Sequence, residues 1–136
     1  MYNYAEIIYG IPLSEKIRSL PLTENLLSLM KEDYADLQVE VGQTIDEVDG
    51  LDFLSEKYGL TTRYSGSGDG IPGFFGISLE TLEPFNSKGE NFNVFPTQPT
   101  VTNQEKTQVT ELISKLPQEI KDIAEPIGFY LVWCTS

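Results

Sequence analysis

The sequence predicts an α+β fold in which helices pack on one face of a mostly antiparallel sheet and the N- and C-terminal strands are adjacent. Three observations support this. The two most apolar strand-like segments stand at opposite ends of the chain, helical periodicity lies between them, and glycine and proline separate short elements without any internal repeat. With 136 residues, the chain is expected to form a single globular domain over residues 1–136.

The first predicted strand covers residues 4–11, a segment with a short apolar run that ends at glycine and proline. Residues 128–135 give the strongest strand signal, because aromatic and β-branched side chains dominate them. We expect this last strand to be central and buried on both faces. Its Cys134 thiol would then be buried and unreactive.

Two of the predicted helices have clear start signals. Leucines at helical spacing predict a helix over residues 23–33, with Thr23 as its cap. Thr102 and Glu105 match a capping box, in which each side chain satisfies an unpaired amide at a helix start. Apolar residues at helical spacing follow that box, and Pro117 is suited to the first turn of a further helix.

A further helix is predicted over residues 45–58. Thr44 and Glu47 form the capping box that would open it, Gly50 would interrupt or weaken it, and Gly59 would stop it. Two more strands are predicted, over residues 60–64 and 74–79.

The remaining segments are predicted to be irregular. Residues 65–73 are rich in glycine and serine and are expected to form an extended hairpin loop. Residues 83–101 carry three prolines and several amides, which favours a long irregular crossing.

The net charge of −12, from 21 acidic and 9 basic residues, excludes the functions that need a positive surface. Nucleic-acid backbones and anionic membranes should be repelled, because both are bound by lysine and arginine. The longest apolar run, residues 127–134, is far shorter than the roughly 20 residues of a membrane-spanning helix. The amino terminus does not resemble a signal peptide, so we expect a cytoplasmic protein.

The residue inventory also argues against several kinds of catalysis. The chain contains no histidine and one cysteine, which excludes Ser-His-Asp and Cys-His mechanisms and a structural zinc site. Residues 68–73 match the spacing of a dinucleotide-binding glycine motif, but they lead into a predicted strand rather than a helix. We therefore expect no cofactor and no enzymatic activity.

The first candidate site is an acidic segment, since no basic residue separates Glu32 from Glu56. Concentrated negative charge repels itself and lowers the stability of a folded chain. This cost suggests that the charge serves a basic partner. A solvated helix face is the alternative interpretation. The predicted partner-binding residues are Asp33, Asp36, Glu40, Asp46, Glu47, Asp49 and Asp52.

The second candidate site is the glycine- and serine-rich loop, where backbone amides and hydroxyls stand next to aromatic residues. Such a loop could hold a small polar ligand, although a plain flexible hairpin is the alternative. A nucleotide-type ligand would also need Arg63 or nearby lysines to offset the protein's charge. The predicted ligand-binding residues are Tyr64, Ser65, Gly66, Ser67, Gly68, Asp69, Phe74 and Phe75.

Abundant carboxylates leave a metal-dependent hydrolase as a third hypothesis. Asp46, Asp49 and Asp52 are spaced three apart on a predicted helix, where a cation could bridge neighbours. Nothing else in the sequence singles out a carboxylate pair, and the spacing of an EF-hand is not met. A solvated charged face explains the same spacing, so we expect no metal site.

Three stretches resemble small acidic proteins of bacteriophages and prophages that have no assigned activity. These are residues 9–13 (YGIPL), residues 64–68 (YSGSG) with Gly76-Ile77 beyond them, and residues 128–136 (GFYLVWCTS). The resemblance implies an accessory protein acting in the host cytoplasm, where such proteins often bind and disable host machinery, including antiviral defence. It implies no catalytic residue.

These observations favour a non-enzymatic binding or inhibitor protein whose acidic surface blocks a basic surface on a host protein. The alternative is a protein that sequesters a nucleotide-type signal near residues 64–69. Direct nucleic-acid binding and membrane association are not expected under either hypothesis, and the sequence does not indicate an oligomeric state.

Overall fold

The computed structural model describes residues 3–63, 72–82 and 100–135. Most of the predicted glycine-rich loop and of the predicted irregular crossing therefore lie outside the described residues. Within them the chain forms an α+β fold, with a four-stranded antiparallel sheet and four α-helices. This confirms the predicted fold class.

The strands are β1 (Asn3–Leu13), β2 (Thr61–Thr62), β3 (Gly73–Leu82) and β4 (Gly128–Thr135). The helices are α1 (Glu24–Asp33), α2 (Gly50–Tyr58), α3 (Asn103–Ser114) and α4 (Gln118–Ile123). A short 3₁₀ helix, Glu15–Ser19, follows β1 and was not predicted, because five residues are too few to show a helical period. None of the helices in the described ranges is long and apolar enough to cross a membrane.

The two terminal strands pair directly, as predicted. The strand order is β2-β3-β1-β4, and β1 pairs with β4 from Asn3 opposite Thr135 to Gly10 opposite Gly128. The prediction that the last strand is central is wrong, because β4 is the outermost described strand and β1 is central. Phe129 and Leu131 are 45% and 53% exposed. A strand can be aromatic and still lie at a sheet edge.

The main core lies between the sheet and its helices. Ile11, Leu13 and Phe75 supply the sheet side of this core. The helical side comes from the elements and connections that pack there, including Ile17, Leu26, Met30, Phe53, Leu54 and Ile120. Phe74 points to the opposite face, because side chains alternate along a strand, and forms a smaller cluster with Ile8 and Val132.

The predicted helix over residues 45–58 is shorter than expected. The Thr44 hydroxyl does accept a hydrogen bond from the Glu47 amide, at 3.3 Å, but the turn it opens ends at Asp49. The Gly50 amide donates to the Ile45 carbonyl at 2.8 Å, and Asp49 is left-handed with φ of 54°. This is the geometry that ends a helix, so α2 begins anew at Gly50.

Two glycines allow β1 and β3 to approach closely at the centre of the sheet. Gly10 lies opposite Gly76, with φ of 151° and 145° respectively. A Cβ atom on Gly10 would lie 2.0 Å from the Phe75 carbonyl oxygen, and one on Gly76 would lie 2.1 Å from the Tyr9 carbonyl oxygen. The pairing therefore requires glycine at both positions.

We expect Gly10→Ala to destabilise the fold by about 3 kcal/mol or more, because backbone strain adds to a steric clash. Gly128→Ala is the matched control in the same row of the sheet. A Cβ on Gly128 would meet only the Tyr130 ring, at 3.7 Å, so this change should cost less than about 1 kcal/mol. Chemical denaturation measures both. Equal losses would contradict the close approach.

Candidate functional site

The connection between α1 and α2 carries most of the predicted partner-binding residues on its surface. All seven side chains are exposed. We call this set the acidic face: Asp33, Asp36, Glu40, Asp46, Glu47, Asp49 and Asp52. Its members come from the last turn of α1, from the turns that follow and from the first turn of α2. The structure therefore exposes every member of this charge run, and it brings Asp46, Asp49 and Asp52 together around one depression.

Two basic side chains reach the acidic face from other elements. Lys57 Nζ lies 3.1 Å from Glu32 Oε2 and 3.4 Å from Asp33 Oδ2, and Arg18 Nη1 lies 3.2 Å from Asp46 Oδ1. The hydrogen bond with Glu32 and the nearby carboxylates raise the pKa of Lys57 above its ordinary value, outweighing its desolvation. Two members of the acidic face, Asp33 and Asp46, are therefore partly neutralised.

The other members of the acidic face have no ion-pair partner among the described residues. No basic side chain among the described residues forms an ion pair with its other five members, which are Asp36, Glu40, Glu47, Asp49 and Asp52. All five carboxylates are exposed to solvent. The arrangement attracts cations and basic surfaces.

A groove of about 260 Å³ lies between α1 and α2, and we call it the α1–α2 groove. Its apolar side chains are Met30, Leu37, Val48 and Phe53. Its polar side chains are Tyr34, Asp49, Asp52 and Glu56. Met30 and Phe53 are buried, whereas the three carboxylates are exposed, so the groove has an apolar floor and an acidic rim. The Tyr34 hydroxyl donates a hydrogen bond to Glu56 across this rim.

A second depression, of about 180 Å³, adjoins the groove. Asp46, Asp49 and Asp52 all line it, as their spacing suggested, but Arg18 lines it with them. The Arg18 guanidinium pairs with Asp46 there, at 3.2 Å. Among the described residues, no group of three or more side chains of metal-ligand type is placed to hold a metal ion.

The structure describes two of the eight predicted ligand-binding residues. Tyr64, Ser65, Gly66, Ser67, Gly68 and Asp69 lie outside the described residues, so their role stays a prediction. Phe74 and Phe75 are described, and both are buried, at 1% and 0% exposure. They pack into the two clusters on opposite faces of the sheet.

A buried ion pair at the base of that loop was missed by the sequence analysis. Glu6 of β1 is 2% exposed, and its carboxylate accepts hydrogen bonds from Arg63 Nη2 at 2.7 Å and Nε at 3.0 Å. Ser78 Oγ donates to the same carboxylate at 3.0 Å, and the Arg63 guanidinium lies 5.3 Å from the Phe74 ring centre. A lone glutamate inside an apolar strand was the available signal.

The pair has a defined electrostatic consequence. Burial alone would raise the pKa of Glu6, but hydrogen bonds from Arg63 and Ser78, with the charge of Arg63, outweigh it and hold the pKa below its ordinary value. The Arg63 amide also donates to the Pro72 carbonyl at 2.8 Å. Glu6 thus holds the Arg63 side chain, while the Arg63 backbone joins that of Pro72 on the other side of residues 64–71.

Another depression, of about 380 Å³, lies between the end of α2 and α3. Its charged residues are Lys57, Glu111 and Lys115, and Lys57 is already paired with carboxylates of α1. One lysine and one glutamate remain, so neither sign of charge dominates. This depression is a weaker candidate than the α1–α2 groove.

Comparison of the chain with protein-family models, with curated proteins and with solved structures finds no match.

We expect Glu6→Gln to lower stability at neutral pH by about 2 kcal/mol, because it removes the buried charge that accepts the hydrogen bonds of the partly buried Arg63. A depressed pKa in the folded state means that the ionised carboxylate stabilises the fold above the usual carboxyl range, and that this contribution is lost on acidification. Denaturation at several pH values measures both effects. Glu125→Gln, at an exposed position, is the control.

The loss of stability from about pH 5 downwards should be smaller in Glu6→Gln than in the wild type or in Glu125→Gln. Identical pH profiles for all three proteins would contradict the assignment of Glu6.

We expect Asp49→Gly to stabilise the fold by about 0.5–1 kcal/mol, since glycine adopts the left-handed conformation without the steric cost of a Cβ atom. Asp49→Asn removes the same charge and keeps a side chain that tolerates this conformation, so it separates charge from strain. Thermal and chemical denaturation give the comparison. A glycine variant no more stable than the asparagine variant would show that position 49 is unstrained.

Proposed function

We propose that this protein is a non-enzymatic binding protein that uses its acidic face and the α1–α2 groove to receive a basic segment of a partner protein. In the phage context implied by the resemblance, the partner is a host protein, such as a nucleic-acid-binding enzyme of antiviral defence. Occupying its basic surface would inhibit it. The uncompensated carboxylates around an apolar groove are the observation that carries this proposal.

Charge is the first support. Five exposed carboxylates without a described ion-pair partner repel one another and lower the stability of the free protein. A basic partner removes that repulsion on binding. It also associates faster, because opposite charges steer the encounter, and the effect weakens as salt screens it.

The shape and chemistry of the groove are the second support. Its volume of about 260 Å³ lies below the roughly 300–1,000 Å³ typical of small-molecule pockets, which suits one inserted side chain better than a ligand. A lysine or arginine can lay its apolar stem on such a floor while its charged end stays at an acidic rim. The groove would therefore supply contact energy as well as charge.

The backbone at Asp49 is the third support. A residue other than glycine in the left-handed conformation carries a steric cost, and glycine at that position would relieve it. Asp49 lines the groove and the adjoining depression. Asp49 therefore lines both depressions despite that cost, which supports a role in binding.

The other hypotheses find less support. A nucleotide-type ligand near residues 64–69 needs a local cation, and the Arg63 guanidinium is bound to buried Glu6. That hypothesis stays a prediction. A metal-dependent hydrolase needs clustered ligands, and within the described ranges Arg18 stands among the three aspartates considered for it.

The first test uses a synthetic amphipathic peptide of lysine, arginine and leucine as the probe. We expect a variant combining Asp49→Asn, Asp52→Asn and Glu56→Gln to bind it about tenfold more weakly, since each rim charge contributes up to about 1 kcal/mol. Calorimetry at two ionic strengths measures the affinity and its dependence on salt. Loss of three charges should also reduce that dependence.

The matched control changes the net charge by the same amount elsewhere. Glu80→Gln, Glu111→Gln and Glu125→Gln alter exposed carboxylates outside the groove, and this variant should bind nearly as the wild type does. Equal weakening by both triple variants would show that net charge alone attracts the probe. Capture from a host lysate, with the two variants side by side, then identifies a natural partner as a protein lost with the rim variant only.

A further inference from the structure

Tyr34 is an exposed aromatic residue at the rim of the α1–α2 groove. It directly follows the last residue of α1 and is 41% exposed. Its amide donates a hydrogen bond to the Met30 carbonyl at 3.0 Å, and its carbonyl accepts one from the Leu37 amide at 3.0 Å. Met30 and Leu37 also line the groove, so the backbone of Tyr34 is tied to two other residues of the same groove.

The rim carboxylates follow one side of α2 at helical spacing. Asp49 precedes the helix, Asp52 belongs to its first turn, and Glu56 comes four residues after Asp52. Residues three or four apart are neighbours on a helix surface, with about 5–6 Å between their Cβ atoms. Among the described residues, however, no three such side chains are placed to hold one metal ion. The rim charges are therefore spread along the groove and do not converge on one point.

Tyr34 is the aromatic ring of the groove that an incoming side chain can reach. Phe53, the other aromatic residue lining the groove, is 3% exposed, and the Lys57 ammonium already lies 5.9 Å from its ring centre. The Tyr34 hydroxyl donates a hydrogen bond to Glu56, so a ring and a carboxylate stand together at the rim. A cation with a flat face could contact both.

An arginine side chain matches this arrangement better than a lysine side chain does. A guanidinium is planar and carries five donors in a fork, so it can donate to more than one carboxylate. It also stacks on aromatic rings and is more weakly hydrated than an ammonium. An ammonium is a compact point charge, which carboxylates spread along a groove satisfy less well.

We propose that the α1–α2 groove selects arginine over lysine, and that Tyr34 is the residue that makes this distinction. The selection rests on the proposed function and specifies its basic segment, whose anchoring residue is an arginine. The stem of that arginine packs on the apolar floor of the groove. Its guanidinium reaches Tyr34 and the carboxylates of Asp52 and Glu56.

Two synthetic peptides of equal charge test the selection. Both contain leucines and basic residues in the same order, and every basic residue is arginine in one peptide and lysine in the other. We expect the wild type to bind the arginine peptide about tenfold more tightly, because stacking and forked hydrogen bonds add to the same charge attraction. Calorimetry at one ionic strength measures both affinities.

Variants of Tyr34 test its role. Tyr34→Leu should reduce the preference to less than about threefold by weakening the binding of the arginine peptide alone. Tyr34→Phe keeps the ring and removes the hydrogen bond to Glu56, so it should retain most of the preference. Phe129→Leu is the matched control, since Phe129 is 45% exposed on β4 and does not line the groove. It should leave both affinities unchanged, and circular dichroism checks that each variant is folded.

A methyl signal reports where the arginine peptide binds. The chain has two methionines, Met1 and Met30, and Met30 belongs to the floor of the groove. In protein with isotope-labelled methionine methyl groups, the Met30 signal can be assigned with Met30→Leu. It should shift in the nuclear magnetic resonance spectrum when the arginine peptide is added. Binding of this peptide without such a shift would place it elsewhere and overturn the proposal.

The outcomes distinguish the selection from the proposed function. Equal affinity of the wild type for both peptides overturns the selection of arginine and leaves a site for basic segments in general. A preference that Tyr34→Leu leaves intact, or that Phe129→Leu lowers equally, overturns the role of Tyr34. If neither peptide binds, the proposed function itself is wrong, and the selection is wrong with it.

Discussion

The pairing of β1 on both of its sides is the interaction on which the rest of this fold depends. β1 joins β3 along one side and β4 along the other, and so brings the two ends of the described chain together. The close approach of Gly10 to Gly76 makes the first pairing possible. The sheet then offers one face to the helices, and the second face holds a small apolar cluster and the Glu6–Arg63 pair. The acidic face and the α1–α2 groove lie among the elements outside this sheet.

Exposed apolar side chains occur both in the acidic connection, at Tyr34 and Val41, and on β4, at Phe129 and Leu131. The acidic face and the α1–α2 groove lie on the helical side, where the connection between α1 and α2 turns back on itself. The exposed Phe129 and Leu131 lie at the sheet edge, on a strand without charge. The two surfaces therefore differ in charge, since β4 carries no charged residue.

Local signals predicted the elements that depend on local contacts. Helices α1 and α3 begin directly after the predicted threonine caps. Thr23 accepts a hydrogen bond from the Leu26 amide, and Thr102 and Glu105 form a full capping box. The same signal at Thr44 led to an overlong helix, because the turn it opens is closed by the left-handed Asp49. Gly50 then packs against Ile45, a contact made possible by having no Cβ atom.

The sequence by itself determined the α+β class, the adjacency of the terminal strands and the exposed acidic run, since composition, periodicity and capping act over short distances. Only the tertiary structure decided that β4 lies at an edge, that Met30 and Phe53 form the floor of a groove beside Asp49, and that Glu6 meets Arg63. These features join residues far apart in the chain. Their positions depend on how whole elements pack, which no local pattern encodes.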